Sequence, residues 1–117
     1  MNKIERIKSF WQEMNLKHWE NLYSYFHERA VIIWPNTNEI FDVLTYVEIN
    51  EEYPGSWTIE LNKIIESNQQ VITVERIFST EEKTSLHGTS FFTFEQDKII
   101  ALEEYFSEDG SPPIWRR

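Results

Sequence analysis

The chain has 117 residues and a formal net charge of −9, and its only basic end is the tail Trp115-Arg116-Arg117. No Lys/Arg stripe forms, which argues against a nucleic-acid partner, whose affinity rests on phosphate neutralisation, and against anionic membrane surfaces. The length fits one domain over residues 1–117, and the absence of Cys excludes disulfides and thiolate zinc sites.

In chain order, Ile4, Ile7, Trp11 and Met14 recur at the spacing of one helical face. Asn15 interrupts, and Trp19, Leu22, Tyr23 and Phe26 form a second face. Ala30 to Trp34 is short and β-branched and reads as a strand. Pro35-Asn36-Thr37-Asn38 turns the chain, and Glu39-Ile40-Phe41 pairs back. Asp42 then caps a third helix reaching about Tyr53, which Pro54-Gly55 stops. Four strands follow: Trp57 to Ile65, Val71 to Phe78, Leu86 to Phe94 and Lys98 to Phe106. Their short connections predict an antiparallel meander. Helices first and strands last give an α+β domain with the helices on one face of the sheet.

No apolar stretch is long enough to span a bilayer, and charges run through the first helical segment, so residence in the cytoplasm is expected. Aromatic residues make up 15% of the chain, with five Trp, five Tyr and eight Phe. So many rings line either a solid core or an apolar pocket. The chain has only three Gly, none in a phosphate-binding loop, and no nucleophile elbow. Neither a metal nor a cofactor is expected, because His18, His27 and His87 lack the close spacing of a ligand pair.

The element order, together with Glu28-Arg29-Ala30-Val31-Ile32, Tyr53-Pro54-Gly55-Ser56-Trp57, Thr89-Ser90-Phe91-Phe92-Thr93-Phe94, Asp97-Lys98-Ile99-Ile100, Glu103-Glu104-Tyr105-Phe106 and Pro112-Pro113-Ile114-Trp115-Arg116, resembles the nuclear transport factor 2-like superfamily and its SnoaL-like group. The likeness covers nearly the whole chain. It implies a cystatin-like cone, a curved antiparallel sheet packed against three N-terminal helices. It also implies a small-molecule pocket inside the cone and a homodimer through the sheet's outer face.

Matching strand parity to that family places Trp34, Trp57 and Ile59 inward, with Ile72, Val74, Arg76 and Phe78 on the next strand. Leu86, Ser90, Phe92, Leu102, Glu104 and Phe106 also point inward, and Glu75, His87, Phe91, Glu103 and Tyr105 point outward. Ketosteroid isomerases of this superfamily pair an Asp base with a Tyr and a protonated Asp. Here Trp34, Phe10 and Ser90 match those positions, so that machinery is missing.

Arg76 and Glu104 are then the remaining inward charges. They form either an ion pair that closes one wall, or a catalytic pair in which Arg76 orients an anionic or carbonyl group and Glu104 acts as acid or base. Trp11, Trp34, Trp57, Ser90, Phe92 and Phe106 are the expected ligand-binding residues. Two functions follow. One is a protein binding a small hydrophobic or aromatic molecule, with acid/base chemistry where turnover occurs. The other is a non-catalytic dimeric interaction module of the same fold.

Overall fold

The computed structural model describes residues 2–117. Helix α1 (Lys3–Asn15) begins where the Asn2 side chain accepts from the Glu5 N–H at 2.8 Å, satisfying a donor of the first turn. Its buried face is Ile7, Phe10, Trp11 and Met14, with Ile4 half-buried. The helix closes through Lys17 in the left-handed region (φ 61°), where the His18 N–H donates back to the Glu13 carbonyl at 3.0 Å.

Helix α2 (Trp19–Leu22) is a single turn followed by the 3-10 turn Tyr23–Tyr25. The helical face expected to run through Phe26 therefore breaks. Phe26 opens strand β1 (Phe26–Trp34) and is buried in register with Ile99, while Tyr23 is exposed. A long-range strand pairing has overridden local helical periodicity. The 3-10 turn Pro35–Thr37 and a left-handed Asn38 (φ 58°) return the chain as β2 (Glu39–Phe41). Asp42 caps α3 (Val43–Glu52) by accepting from the Thr45 N–H at 2.8 Å, and this helix buries Tyr46 and Val47.

The remaining strands are β3 (Thr58–Ser67), β4 (Gln70–Ser79), β5 (Thr84–Glu95) and β6 (Lys98–Glu108). They extend one curved, open, six-stranded sheet in the order β2-β1-β6-β5-β4-β3. Every pairing is antiparallel except β1 with β6, which is parallel. Helix α1 packs on β3 and β4, and α3 packs on β1. Phe10 sits where they converge, edge-on to Trp11, Tyr25, Phe26 and Phe92 at centroid distances of 5.2 to 5.8 Å.

Register fixes which side chains enter the cone. On β5 and β6, Ser90, Phe92, Leu102, Glu104 and Phe106 face inward and His87, Phe91, Glu103 and Tyr105 face outward, in agreement with the expected parity. On β4 the expectation is reversed. Thr73 pairs with Ser90 and Glu75 with Gly88, and Val71, Thr73 and Glu75 are fully buried. Ile72, Val74, Arg76 and Phe78 therefore lie on the outer face, and Glu75 points inward. The parity matched to the superfamily is off by one residue on this strand, and the residues do not correct it, because Val71 and Ile77 alternate with Ile72, Val74 and Phe78.

Candidate functional site

The cone encloses a cavity of about 400 Å³. Its deep end is walled by buried side chains: Trp11 and Met14 from α1, Tyr46 from α3 and Glu104 from β6. Trp34, Trp57, Ile59 and Phe106 line its flanks, and Lys17, Glu39, Glu51 and Tyr53 stand at its exposed rim. Trp34 is held edge-on against Phe41, Tyr46 and Phe106 at 4.8, 6.3 and 6.1 Å. Trp57 is fixed by donation to the Pro54 carbonyl at 2.7 Å and by an edge contact with Tyr53 at 5.6 Å.

Glu104 is 2% exposed. Trp34 Nε1 donates to its Oε1 at 3.1 Å and Ser90 Oγ to its Oε2 at 2.8 Å, and the Tyr46 phenol lies against it. Behind it, outside the cavity, Ser90 Oγ also lies 2.7 Å from Glu75 Oε2. Thr73 Oγ1 donates to Glu75 Oε1 at 2.8 Å and itself accepts from Trp11 Nε1 at 3.3 Å. Burial pushes both carboxyls up. Glu75 rises to about 8, through burial first and the charge of Glu104 second. Glu104 is raised by burial, against the hydrogen bonds from Ser90, Trp34 and Tyr46. Burial, followed by the two carboxylates, also raises Tyr46 well above the usual phenol range. Among the described residues no salt bridge reaches either glutamate.

The residues expected at the site separate into three groups. Glu104, Trp11, Trp34, Trp57 and Phe106 do line the cavity. Ser90 is fully buried between the two carboxyls, and Phe92 is fully buried against Phe10 and Trp11, so both stand behind the wall. Arg76 is on the opposite face. Its Nε donates to Ser85 Oγ at 3.0 Å and its guanidinium lies over the Phe78 ring at 4.3 Å. It cannot partner Glu104. The partner is Glu75, assigned outward from the sequence. The signal that identifies it is the β4–β5 hairpin: Ser79 pairs with Thr84, and with Ser90 inward this register carries Thr73 and Glu75 inward too.

No protein-family model matches the sequence, and no curated protein matches it. Solved structures do. A putative ketosteroid isomerase from Kribbella flavida DSM 17836 superposes with a TM-score of 0.84 at 18% identity, over 94% of this chain and 81% of that one. A nuclear transport factor 2-like protein of unknown function from Burkholderia xenovorans LB400 gives 0.83 at 19%, over 96% and 88%. The chain has the nuclear transport factor 2-like fold. The epoxide hydrolase/cyclase-like enzyme SalBIII, of pyran ring formation in the polyether salinomycin, has the same fold at a TM-score of 0.73 and 16% identity, over 88% of each chain. Among the described residues, no helix is long and apolar enough to cross a membrane.

Proposed function

We propose that this protein binds a neutral, largely apolar small molecule in the cone, and that Glu104 transfers protons to or from it. The observation that carries this reading is a buried carboxyl at the deep end of an aromatic-walled cavity. A volume of about 400 Å³ falls in the range of small-molecule sites, roughly 300–1,000 Å³. Trp11, Trp34, Trp57 and Phe106 supply flat apolar walls. Glu104 supplies a carboxyl whose proton affinity is raised by burial, the kind of group that serves as a general acid or base. A charged molecule would lose its hydration against these rings, so a neutral one with a polarisable carbonyl or ether oxygen fits better. The structural similarity to a putative ketosteroid isomerase and an epoxide hydrolase/cyclase-like enzyme lends support at the level of fold alone. The lack of Cys fits action in a reducing compartment such as the cytoplasm.

The experiment uses neutral bicyclic ketones of the tetralone type in deuterium oxide, with NMR following exchange of the hydrogens beside the carbonyl. The wild type accelerates exchange, and Glu104→Gln reduces the acceleration by about 10²-fold or more. Equal acceleration by Glu104→Gln, or none by the wild type, contradicts the reading.

The non-catalytic interaction module is the weaker reading, because the cavity is open rather than filled by Trp34, Trp57 and Phe92. A homodimer is compatible with both. We propose that it forms through the outer face of the sheet, where Ile33, Phe91, Ala101 and Tyr105 line a groove of about 510 Å³.

A further inference from the structure

Glu75 does not line the cavity, yet it is fully buried and bonded into the network that holds Glu104. Hydrogen counting constrains this network. A serine hydroxyl has one hydrogen to donate. Ser90 Oγ nevertheless sits at 2.7 Å from Glu75 Oε2 and 2.8 Å from Glu104 Oε2. With both carboxyls ionised, one anionic oxygen would face a serine lone pair at hydrogen-bond distance, buried and without a cation. The contacts close when one carboxyl carries a proton and donates it to Ser90, while Ser90 donates its own to the other.

The donors also decide where the proton rests. Glu104 receives Trp34 Nε1 and the neighbouring Tyr46 phenol besides Ser90, whereas Glu75 Oε1 receives only Thr73. The better-solvated anion is Glu104, so the resting proton belongs to Glu75.

We propose that Glu75, Ser90 and Glu104 share one proton between two carboxyls, and that Glu75 is the internal store from which Glu104 is switched between base and acid. This rests on the reading of Glu104 as the acid/base group. The switch balances without any co-reactant. The Glu75 Oε2–H bond breaks as its proton passes to Ser90 Oγ, and the Ser90 Oγ–H bond breaks as its proton passes to Glu104 Oε2. Two O–H bonds break and two form, and the pair keeps a single negative charge. In one form Glu104 accepts a proton from a bound molecule; in the other it donates one. Because Glu75 does not contact the cavity, it acts as a positioning residue.

The surroundings favour an internal store over bulk water. Glu104 is 2% exposed and Glu75 is fully buried. The titratable groups facing the pair are Tyr46 from α3 and, across the cavity, Lys17, Glu39, Glu51 and Tyr53 at the rim. Trp11 from α1 reaches it only through Thr73. Gly88 on β5 leaves the room this requires, since a Cβ there would stand 2.7 Å from Glu75 Oε2.

The test is an NMR pH titration of the glutamate side-chain carboxyl carbons in the full chain, without ligand. In the wild type, one carboxyl carbon is expected at the protonated position at neutral pH, and the two buried residues should titrate together in two steps. Glu75→Gln keeps a donor toward Ser90 and should abolish the upper step, leaving Glu104 to titrate alone in one step at lower pH. Two ionised buried carboxyls in the wild type at neutral pH would overturn the proposal, as would a Glu104 titration unchanged by Glu75→Gln. Should the variant fail to fold, the wild-type titration decides. No substrate enters this measurement, so its outcome is separate from that of ketone exchange.

Discussion

A carboxyl buried beside another carboxyl binds its proton more tightly in the folded chain than in the unfolded one. For Glu75 the folded value is about 8 against an ordinary 4.5. Between those two values the folded state holds a proton that the unfolded state has released. Stability therefore falls as pH rises from about 4.5 through about 8 and levels off above. Glu75→Gln should flatten that dependence, which thermal melts across the same window would measure; an unchanged slope would place the proton elsewhere. Gly88 belongs to the same cluster. A Cβ at this position would meet the Phe106 ring at 2.6 Å and Glu75 Oε2 at 2.7 Å. Gly88→Ala should destabilise by about 1–3 kcal/mol in urea unfolding, the usual cost of overpacking.

Single residues were also where sequence reading reached its limit. Glu104 and Trp34 could be placed because the strand parity matched to the superfamily holds on β6 and β1. Glu75 and Arg76 could not, because both parities of Val71 to Phe78 look apolar and the bulkier set lies outside.

Among the elements, α1, the Asp42 cap of α3 and the antiparallel meander were legible, because helical spacing, capping residues and short turns are local signals. The parallel β1–β6 pairing was not, since no turn joins those strands. Bulges hid another part. Between Leu61 and Lys63 the β3 register slips, so that Ile64 packs toward the core and Ile65 is 54% exposed. Asn15, which reads in sequence as a mere interruption, ties α1 to β3. Its Nδ2 donates to the Ile59 carbonyl and its Oδ1 accepts from the Ile59 N–H, both at 2.7 Å. Asn15→Ala should cost about 1–3 kcal/mol, the cost of leaving part-buried backbone groups unpaired, as read by chemical denaturation. Because Ile59 lines the cavity, the same change should also loosen its wall.

For the molecule as a whole, the two faces of one sheet carry two separate expectations. On the outer face, Phe91 meets Tyr105 edge-on at 6.2 Å beside the groove proposed for a second copy. Phe91→Glu should shift sedimentation from dimer toward monomer while leaving the fold intact; a monomeric wild type would remove that proposal. On the inner face, the account depends on the cone accepting a ligand against Glu104. The five tryptophans report on this directly, because Trp34 and Trp57 line the cavity while Trp115, 80% exposed in the C-terminal tail, does not. The decisive measurement is an NMR titration of the indole N–H resonances with tetralone. The account predicts saturable shifts at Trp34 and Trp57 with Trp115 unmoved. No saturable shift at either cavity tryptophan, or an equal shift at Trp115, would contradict it.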